Sequence, residues 1–165
     1  MTVSWGVREA ALTQIVETDT ASQIDETVAA CTRLFIDYAR FVDFGEYDRF
    51  VDLFTEDAVL DLGFRLEGQD AIRRSMTKRP EQLRSRHVLS NISIDVLDEQ
   101  AAKGIAYLSL YRHLGADSLL DQPIAGCTPA GVGHYSNAFR FTEKGWRIAS
   151  CTLQFAFRDA SQFPG

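Results

Sequence analysis

The chain has few cysteines, no excess of basic residues and no long apolar run. Its 165 residues include three cysteines, Cys31, Cys127 and Cys151, which are odd in number and scattered, so a disulfide framework is not expected. No run approaches the ~20 apolar residues that a membrane span needs, and no basic segment with an apolar core begins the chain. These absences predict a cytoplasmic protein.

The charge balance excludes two classes of partner. Lys and Arg number 17 against 23 Asp and Glu, which gives a formal net charge of −6. An acidic surface is repelled by nucleic-acid phosphates and by anionic lipid, so neither nucleic acid nor membrane is a predicted partner.

Cofactor motifs are also missing. The sequence has no phosphate-cradling glycine-rich loop and no dinucleotide fingerprint. The three histidines, His87, His113 and His134, fall on separate predicted strands without short ligand spacing, so no metal site is predicted. We therefore expect chemistry without a cofactor.

Hydrophobic periodicity divides the chain into helices and then strands. Apolar residues recur at three- and four-residue steps after Ser22, which can cap a helix that Gly45 can end. Shorter helices carrying Phe50 and covering 68–80 follow, with a short strand at 58–62 between them. We predict an N-terminal arm over 1–21, a single domain over 22–158 and a C-terminal tail over 159–165.

The second half of the chain has the composition of strands. Segments 86–97, 103–114, 132–142 and 146–157 are rich in Val, Ile and aromatic residues, with a hairpin turn at 143–145 and a long loop at 115–133. Helices followed by antiparallel strands predict an α+β fold, with the helices on one face of the sheet. Segment 103–114 is apolar on both faces, which favours a homo-oligomer, a dimer or a trimer.

One run of motifs resembles a known family. The phrases "YARFVDFGEYDRFVDLFTEDAVLDL", "LEGQDAIRRSM", "RHVLSN" and "GWRIAS" keep the order and spacing of SnoaL-like proteins, within the nuclear-transport-factor-2-like superfamily. The resemblance covers about 24–157. It implies a cone-shaped, curved antiparallel sheet packed on N-terminal helices and enclosing an apolar pocket.

The pattern of residues by itself leaves two site candidates open. Helical steps place Asp43 on or beside the core-facing stripe, or else just past the helix end as a cap of the next turn. Strict alternation groups His87 with the more polar face of its strand. That reading favours a surface histidine, unless a bulge turns its side chain toward the core.

The resemblance assigns roles to these residues. In dehydratases of this superfamily, such as scytalone dehydratase and bile-acid 7α-dehydratase, similar positions carry a Tyr/Asp/His site, which implies catalytic roles for Tyr38, Asp43, His87 and His113. It also implies that Asn137 binds substrate. For the remaining pocket wall we expect a set of apolar and aromatic residues: Phe35, Phe54, Leu89, Tyr111, Phe139 and Phe155.

The implied function is a lyase or isomerase of the dehydratase type, acting on a small apolar cyclic substrate such as a polyketide or a steroid. His87 would be the general base, Asp43 would orient it, and Tyr38 would donate to the substrate oxygen. Two alternatives stay open. One is a non-catalytic protein of the same fold, either the small β-type subunit of a ring-hydroxylating dioxygenase or a ligand-binding protein. The other is a polyketide cyclase that depends on Asp43 but not on His87.

Overall fold

A long helix lies against a curved, unclosed six-stranded sheet. The structure is a computed structural model that describes residues 5–126 and 128–163, with side chains from residue 21 onward. The predicted α+β class, with helices first and strands after, is confirmed. No helix within the described part of the chain is long and apolar enough to cross a membrane.

Helix α1 spans Trp5–Phe44 and so begins well before Ser22, where the sequence suggested a cap. No Pro or Gly interrupts residues 7–44, so nothing breaks the helical hydrogen bonds there. Among the residues from 21 onward, Thr27 is the first that is buried, and Ile24 is 44% exposed although it belongs to the predicted apolar stripe. Gly45, at φ 73°, ends the helix in the left-handed conformation that glycine adopts without strain.

Short elements connect α1 to the large strands. Helix α2 is Tyr47–Val51, strand β1 is Phe54–Asp61, strand β2 is Arg65–Glu67 and helix α3 is Gln69–Met76. Strand β2 is too short to show an alternating pattern, and the sequence analysis did not predict it.

Four long strands form the rest of the sheet: β3 (Leu83–Val96), β4 (Ala101–Leu114), β5 (Gly131–Thr142) and β6 (Gly145–Arg158). Their order is β2-β1-β6-β5-β4-β3. All neighbours are antiparallel except β1 and β6, which run parallel, so the predicted antiparallel sheet has one exception. Short 3-10 turns at Ala116–Leu119 and Ala160–Gln162 lie in the long loop and after β6.

A bulge in β3 reverses which side chains face the core. Ser90 pairs with Tyr107 and Ser93 with Ile105, so two residues of β3 oppose one residue of β4. Asn91 takes φ 49° there, a conformation that asparagine tolerates better than most residues. Before the bulge the odd-numbered residues of β3 face inward, and after it the even-numbered ones do. The alternation assumed in the sequence analysis therefore fails at this point.

The core lies between the C-terminal half of α1 and the inner face of the sheet. Aromatic rings dominate it. Phe35 meets Phe139 at 5.4 Å between ring centroids, and Tyr38 meets Phe50 at 4.8 Å. This packing fixes the end of α1, including Asp43, against the first half of β3.

Candidate active site

A buried carboxylate and a buried imidazole meet where α1 ends against β3. Nδ1 of His87 lies 2.6 Å from Oδ1 of Asp43, and the side chains are 8% and 5% exposed. The backbone N–H of His87 donates to Oδ2 of the same carboxylate at 2.7 Å. The carboxylate thus fixes both the ring and the backbone of His87.

Local structure explains why the two side chains meet. Asp43 belongs to the last turn of α1 and does not cap the following turn, so its carboxylate points at the sheet. His87 precedes the bulge, where odd-numbered residues of β3 face inward, and Val88 beside it is 53% exposed. The bulge therefore accounts for an inward histidine that simple alternation places outside.

Hydrogen bonding keeps Asp43 ionised despite its burial. Burial alone would raise the pKa of a carboxyl group, but hydrogen bonds and charge from His87 and a hydrogen bond from Ser85 lower the pKa of Asp43 below its ordinary value. In the neutral imidazole, Nδ1–H of His87 donates to ionised Asp43, so that Nε2 is the nitrogen without a proton. That tautomer is the one a general base requires.

Two further residues extend this pair into a chain of hydrogen bonds. Oγ of Ser85 donates to Oδ1 of Asp43 at 2.7 Å, and Nη2 of Arg79 donates to Oγ of Ser85 at 2.7 Å. Ser85 is 4% exposed. The chain from Arg79 through Ser85 ends on Oδ1 of Asp43, the same oxygen that Nδ1 of His87 contacts.

Two tyrosines flank the imidazole. The ring of Tyr135 stacks near His87 at 6.5 Å, and Tyr38 lies 5.0 Å from Tyr135 between ring centroids. Burial, nearby Tyr135 and Cys151, and a hydrogen bond with Tyr135 raise the pKa of Tyr38 well above its ordinary value. Its hydroxyl therefore keeps its proton at neutral pH and can serve as a donor.

These groups open onto a cavity of about 440 Å³, within the usual size range of small-molecule sites. Tyr38, His87, Tyr135 and Phe155 contribute to its wall. Most of the remaining wall is apolar, and it includes Leu62, Phe64, Met76, Leu83, Leu110, Leu153 and Phe163. An apolar ligand of moderate size fits this lining.

Two predicted site residues lie elsewhere. Tyr111 and His113 are odd-numbered residues of β4, whose even-numbered residues, such as Leu108 and Leu110, face the core. Nε2 of His113 contacts Oδ1 of Asp117 at 2.8 Å, and neither residue lines the 440 Å³ cavity. The structure does not bring His113 or Tyr111 together with the buried pair.

Most of the predicted wall residues form the core instead. Phe35, Phe54 and Phe139 are at most 2% exposed and are absent from the cavity wall, as is the half-buried Leu89. Asn137 is 4% exposed, and within residues 21–126 and 128–163 its amide has no hydrogen-bond partner. A substrate contact for Asn137 remains a prediction.

Sequence reasoning missed several residues of this site. Tyr135 lies two residues before Asn137 on β5 and was not among the predicted site residues. Arg79 and Ser85 carried no pattern signal, because a helix-end arginine and a strand serine are common on surfaces. Phe163 belongs to the segment predicted as a tail, yet it contributes to the cavity wall.

A second, larger cavity of about 590 Å³ lies at the start of β1, next to the turn between β5 and β6. Its wall is mostly polar and charged, with Asp57, Gln69, Arg140 and Lys144, and contains no histidine. In the described part of the chain no three His, Cys, Asp or Glu side chains are arranged to hold a metal ion. We therefore regard the smaller cavity, which contains the buried pair, as the candidate active site.

Solved structures share this architecture. A candidate scytalone dehydratase from Novosphingobium aromaticivorans aligns with a TM-score of 0.69 at 20% identity, over 83% of this chain and 89% of that one. A candidate aromatic ring hydroxylase from the same organism aligns with a TM-score of 0.66 at 28% identity, over 80% and 90%. A hexachlorocyclohexane dehydrochlorinase aligns with a TM-score of 0.68 at 14% identity, over 83% and 90%.

No curated protein matches the chain in sequence. The family defined by the SnoaL-like domain does match, over residues 25–152, which include α1 from Asp25 onward, the buried pair and all six strands up to the middle of β6. Together with the shared fold of the solved structures, this match shows that the chain belongs to the SnoaL-like domain family.

Proposed function

We propose that the chain is a cofactor-independent lyase of the dehydratase type, acting on an apolar cyclic substrate. The observation that carries the proposal is the buried His87–Asp43 pair at the wall of an apolar cavity. Buried titratable pairs in clefts are expensive to maintain, and proteins keep them mostly where proton transfer is needed.

The mechanism begins with His87 as general base. Nε2 removes a proton from the carbon next to a carbonyl group, and the electron pair of the broken C–H bond moves onto the carbonyl oxygen. The Tyr38 hydroxyl donates a hydrogen bond to that oxygen, and ionised Asp43 stabilises the imidazolium. The electrons then return, the bond from the neighbouring carbon to its hydroxyl breaks, and the imidazolium protonates the leaving hydroxide to give water.

The same groups also support isomerisation. If the imidazolium returns its proton to a different carbon, no water leaves and a double bond moves instead. Whether dehydration or isomerisation occurs depends on whether the substrate carries a hydroxyl on the carbon next to the one that loses its proton. We propose dehydration because two of the aligned structures are named for eliminations, a dehydratase and a dehydrochlorinase.

A second candidate rests on the aligned aromatic ring hydroxylase, whose 28% identity exceeds that of the other two structures. In that case the chain would be a small subunit of an oxygenase and His87 would have a structural role. Co-purification separates the two candidates, since an oxygenase subunit requires a larger redox partner. In the third reading, a polyketide cyclase, Asp43 matters and His87 does not.

The test is loss of water from a panel of cyclic β-hydroxyketones. Appearance of the conjugated enone is followed by ultraviolet absorbance, and exchange of the α-hydrogen with deuterated solvent is followed by NMR. We expect His87→Ala to lower both rates by about 10²-fold or more, the usual contribution of a general base. The matched control is His134→Ala, since His134 is half-buried, does not line the cavity and is bonded to Gln154.

An equal rate for wild type and His87→Ala would rule out the proposed base. Retained folding is checked by circular dichroism and by thermal unfolding. A cyclase would lose activity in Asp43→Asn but not in His87→Ala, so the pair of variants distinguishes the two enzyme readings.

We also propose that the chain acts as a homo-oligomer in the cytoplasm. Val88 and Tyr107 are more than half exposed on the face of the sheet that points away from α1, where a second copy could cover them. Cys31 and Cys151 are free, buried thiols, which suits a reducing compartment. Light scattering of the purified protein measures the number of subunits, and a monomer would contradict the first statement.

A further inference from the structure

The cavity wall carries charge of one sign. Lys78, Arg79, Arg112 and Arg158 contribute to it, and no Asp or Glu does. The whole chain has a net charge of −6, so this local excess of cations runs against its composition. Asp43 lies behind His87 and is occupied by its three hydrogen bonds.

The three arginines lie close enough to affect one another. The pKa of Arg112 is lowered, first by burial and then by the positive charges of Arg79 and Arg158. The guanidinium carbons of Arg112 and Arg158 lie 4.6 and 4.4 Å from the ring centroid of Phe163, which therefore contacts both. The aromatic ring holds the two guanidinium groups at the wall.

None of the three arginines forms an ion pair with a carboxylate of residues 21–126 or 128–163. Arginines outside the cavity do so, for example Arg65 with Glu67 and Arg140 with Asp57. Neighbouring guanidinium groups without a counter-ion repel each other, and one of them is partly desolvated. A bound anion would remove that repulsion.

We propose that the cavity binds an anionic substrate, whose carboxylate or phosphate group is bound by Arg79, Arg112 and Arg158 while its apolar body occupies the rest of the cavity. Planar guanidinium groups suit both oxyanions, because each can donate two parallel hydrogen bonds. The inference rests on the proposed function in placing a substrate in this cavity, and it adds the acidic group by which the substrate is recognised.

Arg79 connects recognition to catalysis. The same guanidinium group that faces the cavity donates to Ser85, which donates to Asp43. An anion that contacts Arg79 would hold this hydrogen-bond chain in place while His87 acts. Arg79 is therefore a positioning residue in addition to a binding residue.

The test uses two fluorescent probes that differ by one sulfonate group, the anion 8-anilinonaphthalene-1-sulfonate and its uncharged parent N-phenyl-1-naphthylamine. We expect wild type to bind the sulfonate about tenfold more tightly or better, the usual effect of one charge-assisted hydrogen bond. The double variant Arg112→Gln/Arg158→Gln should bind both probes about equally. Arg140→Gln is the matched control and should keep the preference.

Equal binding of the two probes by wild type would overturn the inference, as would an unchanged preference in the double variant. Arg158 is exposed, so Arg158→Gln alone gives a readable result if the double variant fails to fold. The lysine variants Arg112→Lys and Arg158→Lys should keep part of the preference, because they keep the charge.

Competition identifies the acidic group. Displacement of the sulfonate probe by 1-naphthoate supports a carboxylate, and displacement by 1-naphthyl phosphate supports a phosphate, while displacement by neither contradicts the inference. All binding is repeated in His87→Ala. A preserved anion preference in that variant supports the inference even if wild type proves to have no dehydratase activity, so the two proposals can fail separately.

Discussion

One histidine on β3 and one on β4 each contact an aspartate from another segment of the chain, and the two contacts are almost equally short. His87 and Asp43 are 2.6 Å apart, and His113 and Asp117 are 2.8 Å apart. The side chains of the first pair are 8% and 5% exposed, whereas those of the second are 37% and 52% exposed. Both pairs join an imidazole nitrogen to a carboxylate oxygen, through Nδ1 in the first pair and Nε2 in the second, and they differ most in burial.

The comparison teaches that contact alone does not mark a catalytic pair. The pKa of both aspartates is lowered, for Asp117 chiefly by its hydrogen bond with His113. Both side chains of the outer pair are open to solvent and salt, which screen their interaction. Asp43 stays ionised against burial because His87 and Ser85 together donate three hydrogen bonds to it. Burial is why we propose the inner pair, and not the outer one, for proton transfer.

The largest expected effect is the difference between Asp43→Asn and Asp117→Asn. Asparagine at position 43 cannot stabilise the imidazolium, so we expect the turnover rate to fall by about 10²-fold or more. Asp117→Asn should stay within about twofold of wild type, since exposed pairs contribute little. Steady-state kinetics on the best substrate of the hydroxyketone panel measures both.

Equal losses in the two variants would contradict the distinction between the pairs. The same conclusion would follow if Asp43→Asn retained full activity. Near-ultraviolet circular dichroism shows whether the Asp43→Asn variant keeps its native packing.

The next effect concerns the bulge in β3 that turns His87 of the inner pair toward the core. A β-branched residue in the left-handed conformation of Asn91 is strained by about 1–2 kcal/mol, so Asn91→Val should lower the free energy of unfolding by that amount. Asn91→Gly is the control and should differ from wild type by less than about 1 kcal/mol. Urea unfolding measures both variants.

Activity gives a second readout for the same variant. If the strain shifted the register of β3 by one residue, His87 would move to the face that Val88 now occupies, away from Asp43. We therefore expect Asn91→Val to lose activity beyond its loss of stability. A variant as stable and active as wild type would show that the bulge does not position His87.

The bulge also explains why part of the fold could not be predicted from the sequence. The helices, the long strands and their order along the chain could be predicted, because periodicity and turn residues depend on neighbouring positions in the sequence. The facing of β3 could not, because one extra residue in a strand reverses the pattern. Asn91 was the available signal, since asparagine tolerates the left-handed conformation, but β3 also contains serines, arginines and an aspartate, so one more polar residue did not stand out.

The candidate site was predictable only in part. Asp43, His87 and Tyr38 were predicted through the resemblance. His87 and Tyr38 line the cavity, and Asp43 contacts His87. His113 was carried over in the same way and lies away from the cavity, since the odd-numbered residues of β4 face outward. Ser85 and Arg79 act through a hydrogen-bond chain between distant segments, and no local pattern encodes such a chain.

A smaller effect is expected from the serine that distinguishes the inner pair. Ser85→Ala removes one of the hydrogen bonds to Asp43 and leaves Arg79 without its acceptor. We expect kcat to fall by about tenfold, equivalent to about 1.4 kcal/mol, with KM within about twofold. The loss should also raise the pKa of Asp43, so the acidic limb of the pH–rate profile should move to higher pH. Ser90→Ala is the control, on the exposed side of the same strand.

An unmoved acidic limb in Ser85→Ala would show that the serine only fills space. A tenfold rise in KM with unchanged kcat would show instead that it acts on substrate binding.

The smallest expected effect is the dependence of stability on acid. The pKa of Asp43 is lower in the folded chain than in the unfolded chain, where it is about 3.9. Its ionised form therefore stabilises the fold above that pH, and the contribution is lost as pH falls through the folded pKa. The difference in unfolding free energy between wild type and Asp43→Asn should accordingly shrink between pH 5 and pH 3.

Added salt should affect the unfolding free energies differently for the two pairs. The same difference for Asp117→Asn should be small at pH 5 and should fall further in 0.5 M sodium chloride, because the screening length is only about 4 Å at that ionic strength. The difference for Asp43→Asn should persist in salt, because solvent and ions do not reach a carboxylate that is 5% exposed. If salt removed both differences alike, the inner pair would be no better shielded than the outer one, and the physical basis for assigning catalysis to it would be lost.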